Sequence, residues 1–152
     1  MSILAQNKRA VFDYEILERY EAGLVLLGHE VKSLRAGHVS LKESYVDFRG
    51  QELYLLKAHI SLYKPAAGLK QIYDPLRPRK LLLKKREISG LLGKKQSSGL
   101  TLIPIKIYTK NSFIKLEFGL AQGRKKYDKR EVIKTREVKR ELANYRKNSI
   151  RG

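Results

Sequence analysis

In the first 123 positions of this chain, no run of β-forming residues extends far before a glycine, a proline or a polar turn ends it. Short strands with turns every ~8–12 residues cannot assemble a bundle of long helices, and they point to a small closed or partly open barrel. Residues 14–27 (YEILERYEAGLVLL) place Ile16, Tyr20 and Leu24 on one side of a period-two pattern. Gly23 within that run is expected to mark a bulge or a sharp bend. Residues 44–48 and 52–56 flank Arg49-Gly50-Gln51 as a hairpin, the second strand running on toward Tyr63 before Pro65. Residues 100–108 and 113–120 flank a second turn, Thr109-Lys110-Asn111-Ser112. Two short helices are expected between strands. Residues 29–36 set Val31 and Leu34 on one face and stop at Gly37; residues 83–92 align Ile88, Leu91 and Leu92 and stop at Gly93.

The pattern ends at 119–123 (GLAQG), whose two glycines read as a hinge. Beyond it, Val132, Ile133, Val138, Leu142 and Ile150 are the only large aliphatic residues, among 12 Lys+Arg and 4 Asp+Glu. That segment has a net charge of +8, and the preceding residues, with 21 basic and 11 acidic side chains, carry +10. The chain therefore divides into a folded core, 1–123, and a basic tail, 124–152, expected to be disordered in the free protein. With 42% hydrophobic residues the core has enough apolar material to pack. A formal charge of +18 calls for a polyanion. Nucleic acid comes first, and an anionic membrane surface or an acidic protein second. For a basic chain of short strands, the expected fold is mainly β: an oligonucleotide-binding-type barrel with two or three short flanking helices and a basic C-terminal tail.

No apolar run approaches the roughly 20 residues of a membrane span, and residues 1–10 contain no apolar signal core. The absence of cysteine excludes disulfides, thiolate metal sites and cysteine nucleophiles, and fits a reducing, cytoplasmic setting. His29, His38 and His59 lack metal-ligand spacing. Glu30-Val31-Lys32, with an upstream acid such as Asp13, imitates a Mg²⁺-dependent nuclease, although the segment reads as a helix. No glycine-rich phosphate loop occurs. Neither a catalytic residue nor a metal or cofactor is expected, and the default assembly is a monomer.

Three basic clusters carry the functional signal in the core: Asn7-Lys8-Arg9, Arg77-Pro78-Arg79-Lys80, and Lys84-Lys85-Arg86. Pro75 and Pro78 hold the middle cluster extended, which lowers the entropy lost on docking. Nine tyrosines could stack bases, though most are explained as barrel-lining or cross-strand residues. Read as a helix at about 100° per residue, the tail gathers Arg136, Arg140, Lys147 and Arg151 on one side, with Lys129 near them. Val138, Leu142 and Tyr145 fall opposite. Such a helix is marginal alone and is expected to fold along RNA.

Taken in order, NKRA, YEAGLVL, GHEVKSLRAG, SLKESY, HISLY, DPLRPRKLLLKKREI, GLTLIP and GRKKYDKRE make the chain resemble the SsrA-binding (SmpB) family along essentially its whole length. The resemblance implies a binding protein that takes the tRNA-like domain of transfer-messenger RNA (tmRNA) to stalled ribosomes, with elongation factor Tu in the alanyl-tmRNA complex. It places RNA contacts on Asn7, Glu21 and Leu82, with Lys8, Arg9, Arg79, Lys80, Lys84, Lys85 and Lys125 adding phosphate contacts. Glu21, as a carboxylate, would accept from a base or hold a basic neighbour in place. The resemblance further implies that the tail becomes helical in the empty message channel near the decoding centre. There Gly123, Tyr127, Asp128, Lys129, Arg130, Arg136 and Arg140 would face ribosomal RNA, Asp128 orienting Lys129 and Arg130. Tyr127 and Phe12 stand where relatives often carry His; Tyr127 keeps a stacking face and loses the imidazole charge. Competing readings are a general single-strand RNA-binding or ribosomal protein and, behind it, the Mg²⁺-dependent nuclease.

Overall fold

Six strands whose side chains alternate inward and outward close into one ring. The computed structural model describes residues 1–63, 72–96 and 99–123. In chain order the elements are β1 (Ser2–Gln6), α1 (Ala10–Asp13), β2 (Tyr14–Leu24), α2 (Gly28–Arg35), β3 (Val39–Ser40), β4 (Tyr45–Arg49), β5 (Glu52–Leu56), β6 (His59–Ile60), β7 (Arg79–Leu82), α3 (Lys85–Lys95), β8 (Leu100–Lys110) and β9 (Phe113–Gly123). Antiparallel pairing runs β4-β5-β7-β2-β9-β8, and a Val46–Leu102 pair returns the ring to β4. β1 extends the free edge of β8, and β3 and β6 form a separate ribbon. The expected small β-barrel with short helices is what the chain builds.

Both hairpins form where expected, with tighter turns. Gly50 adopts φ +65° between the paired Arg49 and Glu52. Asn111 (φ 49°) and Ser112 (φ 68°) are both left-handed between Lys110 and Phe113. Two left-handed residues match the twist of a hairpin, so β8 and β9 each reach eleven residues. Gly37 (φ +80°) follows α2, as expected.

Other expectations change. The bulge in β2 lies between Ile16 and Glu18, not at Gly23. One extra residue there reverses the phase of the strand, so Ile16 packs with Ala10, Ile103 and Ala121 in a small second cluster. Tyr20 and Leu24 pack on the barrel core. Gly119 is not a hinge: it sits mid-strand, where a Cβ would stand 2.8 Å from Ile16 Cγ2 and 3.1 Å from the Glu18 carbonyl oxygen. β5 stops at Leu56 because Lys57 turns left-handed (φ 59°), which sends β6 to the ribbon. α3 runs through Gly93 to Lys95. β1, α1 and β7 have no counterpart in the sequence reading.

Leu53, Leu55, Leu102, Ile107, Leu116 and Phe118 are fully buried inside the ring. α2 and α3 each add one fully buried leucine, Leu34 and Leu91. The core also contains a salt-bridge cluster. Glu30, on the first turn of α2, and Arg79, on β7, are both completely buried. Arg79 donates Nε to Glu30 Oε2 at 2.9 Å and Nη1 to the Ala58 and Pro75 carbonyls at 2.6 and 3.0 Å. Its Nη2 donates to Glu30 Oε2 at 2.5 Å and to the Tyr73 hydroxyl at 2.9 Å. Every N–H of the guanidinium is thereby used. Arg77 also pairs with Glu30, which caps its own helix by accepting the Leu27 N–H at 2.8 Å.

Burial pushes the Glu30 carboxyl up, but Arg77, the Leu27 N–H and Arg79 outweigh it and hold the group below the ordinary 4.5. Its stabilising contribution is therefore complete above pH 4.5 and lost as pH falls through the lower folded value. Removing one partner of a buried pair costs about 3–5 kcal/mol. Glu30→Gln should lower the urea midpoint accordingly at pH 7 and should flatten the acid limb of the stability curve. A variant that unfolds like the wild type would contradict this role.

Candidate nucleic-acid interface

Where core residues point into the ring, their neighbours on the same strands must point out. With Leu81, Ala22, Leu116 and Ile107 inside, the outward positions are Leu82 on β7, Glu21 and Gly23 on β2, Lys115 and Glu117 on β9, and Lys106 on β8, with Tyr108 on the same side of β8 but buried. Register aligns these in two rows. Leu82 pairs with Gly23, Gly23 with Lys115, Lys115 with Tyr108, and Tyr108 with Ile3 of β1. Four strand spacings make that row about 19 Å long. Beside it, Glu21 pairs with Glu117, Glu117 with Lys106, and Lys106 with Gln6, immediately before Asn7. Glu21 and Leu82 thus share one sheet face, while Asn7 follows the last residue of β1 at the edge of that face. A Cβ at Gly23 would meet Leu82 Cβ at an ordinary contact distance of 3.4 Å, and Leu82 itself is half exposed.

The acids on this face hold cations in place. Glu21 accepts the Tyr108 hydroxyl and, at 3.4 Å, Lys110 Nζ. The Tyr108 hydrogen bond, aided by Lys110 and Lys115 against a burial penalty, holds the Glu21 carboxyl below its ordinary value. Arg19 meets Glu117 at 2.8 Å, with Lys106 4.0 Å away, and Lys80 meets Glu52 at 3.1 Å. In the free chain the Glu21 carboxylate is bonded to the Tyr108 hydroxyl and to one basic neighbour, Lys110. Tyr108, Lys110 and Lys115 escaped the sequence reading, because the register that brings them to Glu21 is not local.

Asn7 donates its backbone N–H to the Ile105 carbonyl at 2.8 Å and Nδ2 to the Pro104 carbonyl at 3.0 Å. This anchors the exposed Lys8 and Arg9 at the rim of a cleft of about 820 Å³, with Tyr14, Lys42 and Tyr45 also in its wall. Arg9 reaches Asp13 at 3.4 Å and lies 5.5 Å from the Phe12 ring centre. Lys84 and Lys85 are exposed at the start of α3, where the Lys84 N–H donates to Glu87 at 3.4 Å.

Arg79 departs from expectation. In a strand, Arg79 and Lys80 cannot share a face, and Arg79 is the inward one; it offers RNA no surface. Glu30, the acid of the nuclease reading, is likewise locked inside the salt-bridge cluster, while Lys32 Nζ lies over the Tyr63 ring at 5.6 Å. Among the described residues no three acids or histidines gather to hold a metal ion, and no helix is long and apolar enough to cross a membrane. Gly123 ends β9, paired with Tyr14. Lys125, Tyr127, Asp128, Lys129, Arg130, Arg136 and Arg140 lie outside the described residues.

Burial and the adjacent Glu21 carboxylate both raise the Tyr108 hydroxyl above its ordinary value of 10.0. Carbon-13 NMR of labelled tyrosine should find Tyr108 protonated after exposed tyrosines have ionised. Glu21→Gln should move its midpoint down toward 10.0. An unchanged midpoint would place the carboxylate elsewhere.

The model of the SmpB protein family matches residues 4–148. The SsrA-binding protein of Persephonella marina is 50% identical over 99% of this chain and 98% of its own length. That of Geobacillus kaustophilus is 52% identical over 92% of this chain and 89% of its own. Among solved structures, a chain described under "tmRNA-SmpB: a journey to the center of the bacterial ribosome" superposes with a TM-score of 0.63. It is 47% identical, and the match covers 84% of this chain and 92% of that one. Similarity of this extent, from the first strand through most of the basic tail, makes the chain a member of the SmpB family of SsrA-binding proteins.

Proposed function

We propose that this chain binds the tRNA-like domain of tmRNA and brings it to stalled ribosomes for trans-translation. The observation that carries the reading is the shared sheet face. Glu21, Leu82 and the strand leading to Asn7 stand in adjoining rows, among cations that carboxylates hold outward. Phosphate contacts from Lys8, Arg9, Lys80, Lys84 and Lys85 would position the RNA, and Leu82 would pack on a sugar or base. Arg79 acts from inside, by fixing the strand that presents Lys80 and Leu82. The chain acts by binding, with no covalent step of its own, and works in the cytoplasm with elongation factor Tu on the alanyl-tmRNA.

The basic tail supplies the second RNA surface. Residues 124–152 would enter the empty message channel and fold there as a helix, Tyr127 stacking near the decoding centre and Lys129 and Arg130 meeting ribosomal RNA. Two surfaces with two RNA partners account for a charge split almost evenly between a core of 123 residues and a tail of 29.

The two surfaces should separate. Asp128, Lys129 and Arg130 changed together to Ala should leave affinity for the tRNA-like domain intact and abolish peptide tagging in a reconstituted translation system. Glu21→Ala or Leu82→Ala should lower that affinity about 5–150-fold, since interactions of this kind are worth about 1–3 kcal/mol. If the triple variant lost RNA affinity, the two-surface reading would fail. Equal affinity of the wild type for tmRNA and unrelated RNA at physiological salt would instead favour a general RNA-binding protein.

A further inference from the structure

Phe113 opens β9 immediately after the Asn111-Ser112 turn, and 68% of its surface is exposed. Leaving a phenyl ring in water forgoes one of the larger gains available to an apolar side chain. The ring is also not on a loose loop. Both turn residues are left-handed and the turn has only two, so the register fixes Phe113 opposite Lys110.

Its surroundings are cationic. Lys110 lies across the turn, and Lys115, two residues on along the same face, brings Nζ to 5.9 Å from the ring centre. The carboxylate of Glu21 holds Lys110 at 3.4 Å. Two residues of strand span about 7 Å, so Phe113 stands about 7 Å beyond the row of Leu82, Gly23, Lys115 and Tyr108. Glu21 stands a similar distance on the other side of that row. Stacked nucleotides repeat every 3.4 Å per strand, so a few of them cover this span. An apolar protein partner would have to strip water from these lysines, whereas a nucleotide brings its own phosphates to them.

We propose that Phe113 is a base-stacking residue: an unpaired base of the bound RNA stacks on its ring, with flanking phosphates on Lys110 and Lys115. The inference rests on the reading of this face as the RNA surface and adds a stacking contact at its hairpin end. Stacking needs a π-face and is tolerant of which base supplies the other. An aromatic replacement therefore preserves it, and an aliphatic one of similar bulk does not.

The test uses the full-length chain and a transcript of the tmRNA tRNA-like domain, with an unrelated structured RNA of equal length as control. Dissociation constants and their salt dependence are measured for Phe113→Ala, Phe113→Leu and Phe113→Trp, each checked for wild-type thermal unfolding. Loss of one stacked base should weaken binding by about 5–150-fold in the Ala variant. The Leu variant should resemble Ala, and Trp should bind like the wild type. The salt slope should stay unchanged in all three, because no phosphate contact is removed, whereas Lys115→Ala should lower it by about one. Wild-type affinity in Phe113→Ala, or full recovery with Leu, overturns the stacking role. If the wild type itself fails to prefer the tmRNA domain over the control, the underlying functional reading falls instead.

Discussion

A carboxylate and a guanidinium inside the barrel settle what its outer surface can present. Glu30 and Arg79 are both completely buried, and each is costly there without the other. Arg79 lies on a strand of only four residues, preceded by a loop rather than by a hairpin turn. Its five donors bind Glu30 of α2, Tyr73 and Pro75 of the 72–78 segment, and the Ala58 carbonyl just after β5, so the strand has one register in which they are satisfied. With Arg79 turned in, Lys80 and Leu82 are turned out. Tyr73 joins the cluster through its hydroxyl, whose pKa is pushed up to about 12 by burial and by Glu30. The hydroxyl therefore remains a protonated donor under ordinary conditions.

The outer face follows a different electrostatic logic. Its carboxylates are exposed enough that each contact is worth little as stability. They act through geometry, spacing lysines and arginines that would otherwise repel one another. Glu21 is the centre of this arrangement, held ionised by Tyr108 and Lys110. A surface of this kind can meet a folded RNA with its cations already placed, which lowers the ordering cost of binding.

The legible part of this chain is what local chemistry dictates. Both hairpins, helix α2 with its Gly37 stop and the barrel class follow from alternation and turn residues. The misses have one cause, which is that tertiary pairing is invisible locally. RKLL looks like a basic cluster until β5 and β2 claim it as a strand. GLAQG looks like a hinge until the bulged β2 requires a glycine at its side. Of the sites, Glu21 and Leu82 were reachable only through family resemblance, since nothing near either in sequence says that they share a face. Phe113 and Lys115 are legible as residues of a strand and Lys110 only as part of a turn, and none of them shows its neighbours across the sheet. Arg79 is the opposite case: a basic residue in a basic run reads as surface, and the acid that holds it inside lies 49 positions away.

The central claim is that one sheet face, from Leu82 across Gly23 and Lys115 to Ile3, receives the RNA. Methyl NMR of the full chain titrated with the tmRNA tRNA-like domain tests it most directly. The account predicts that the methyls of Leu82 and Ile3 shift strongly, while those of Leu53 and Leu102 inside the ring move little. Shifts centred elsewhere on the molecule, with Leu82 and Ile3 unmoved, would contradict it.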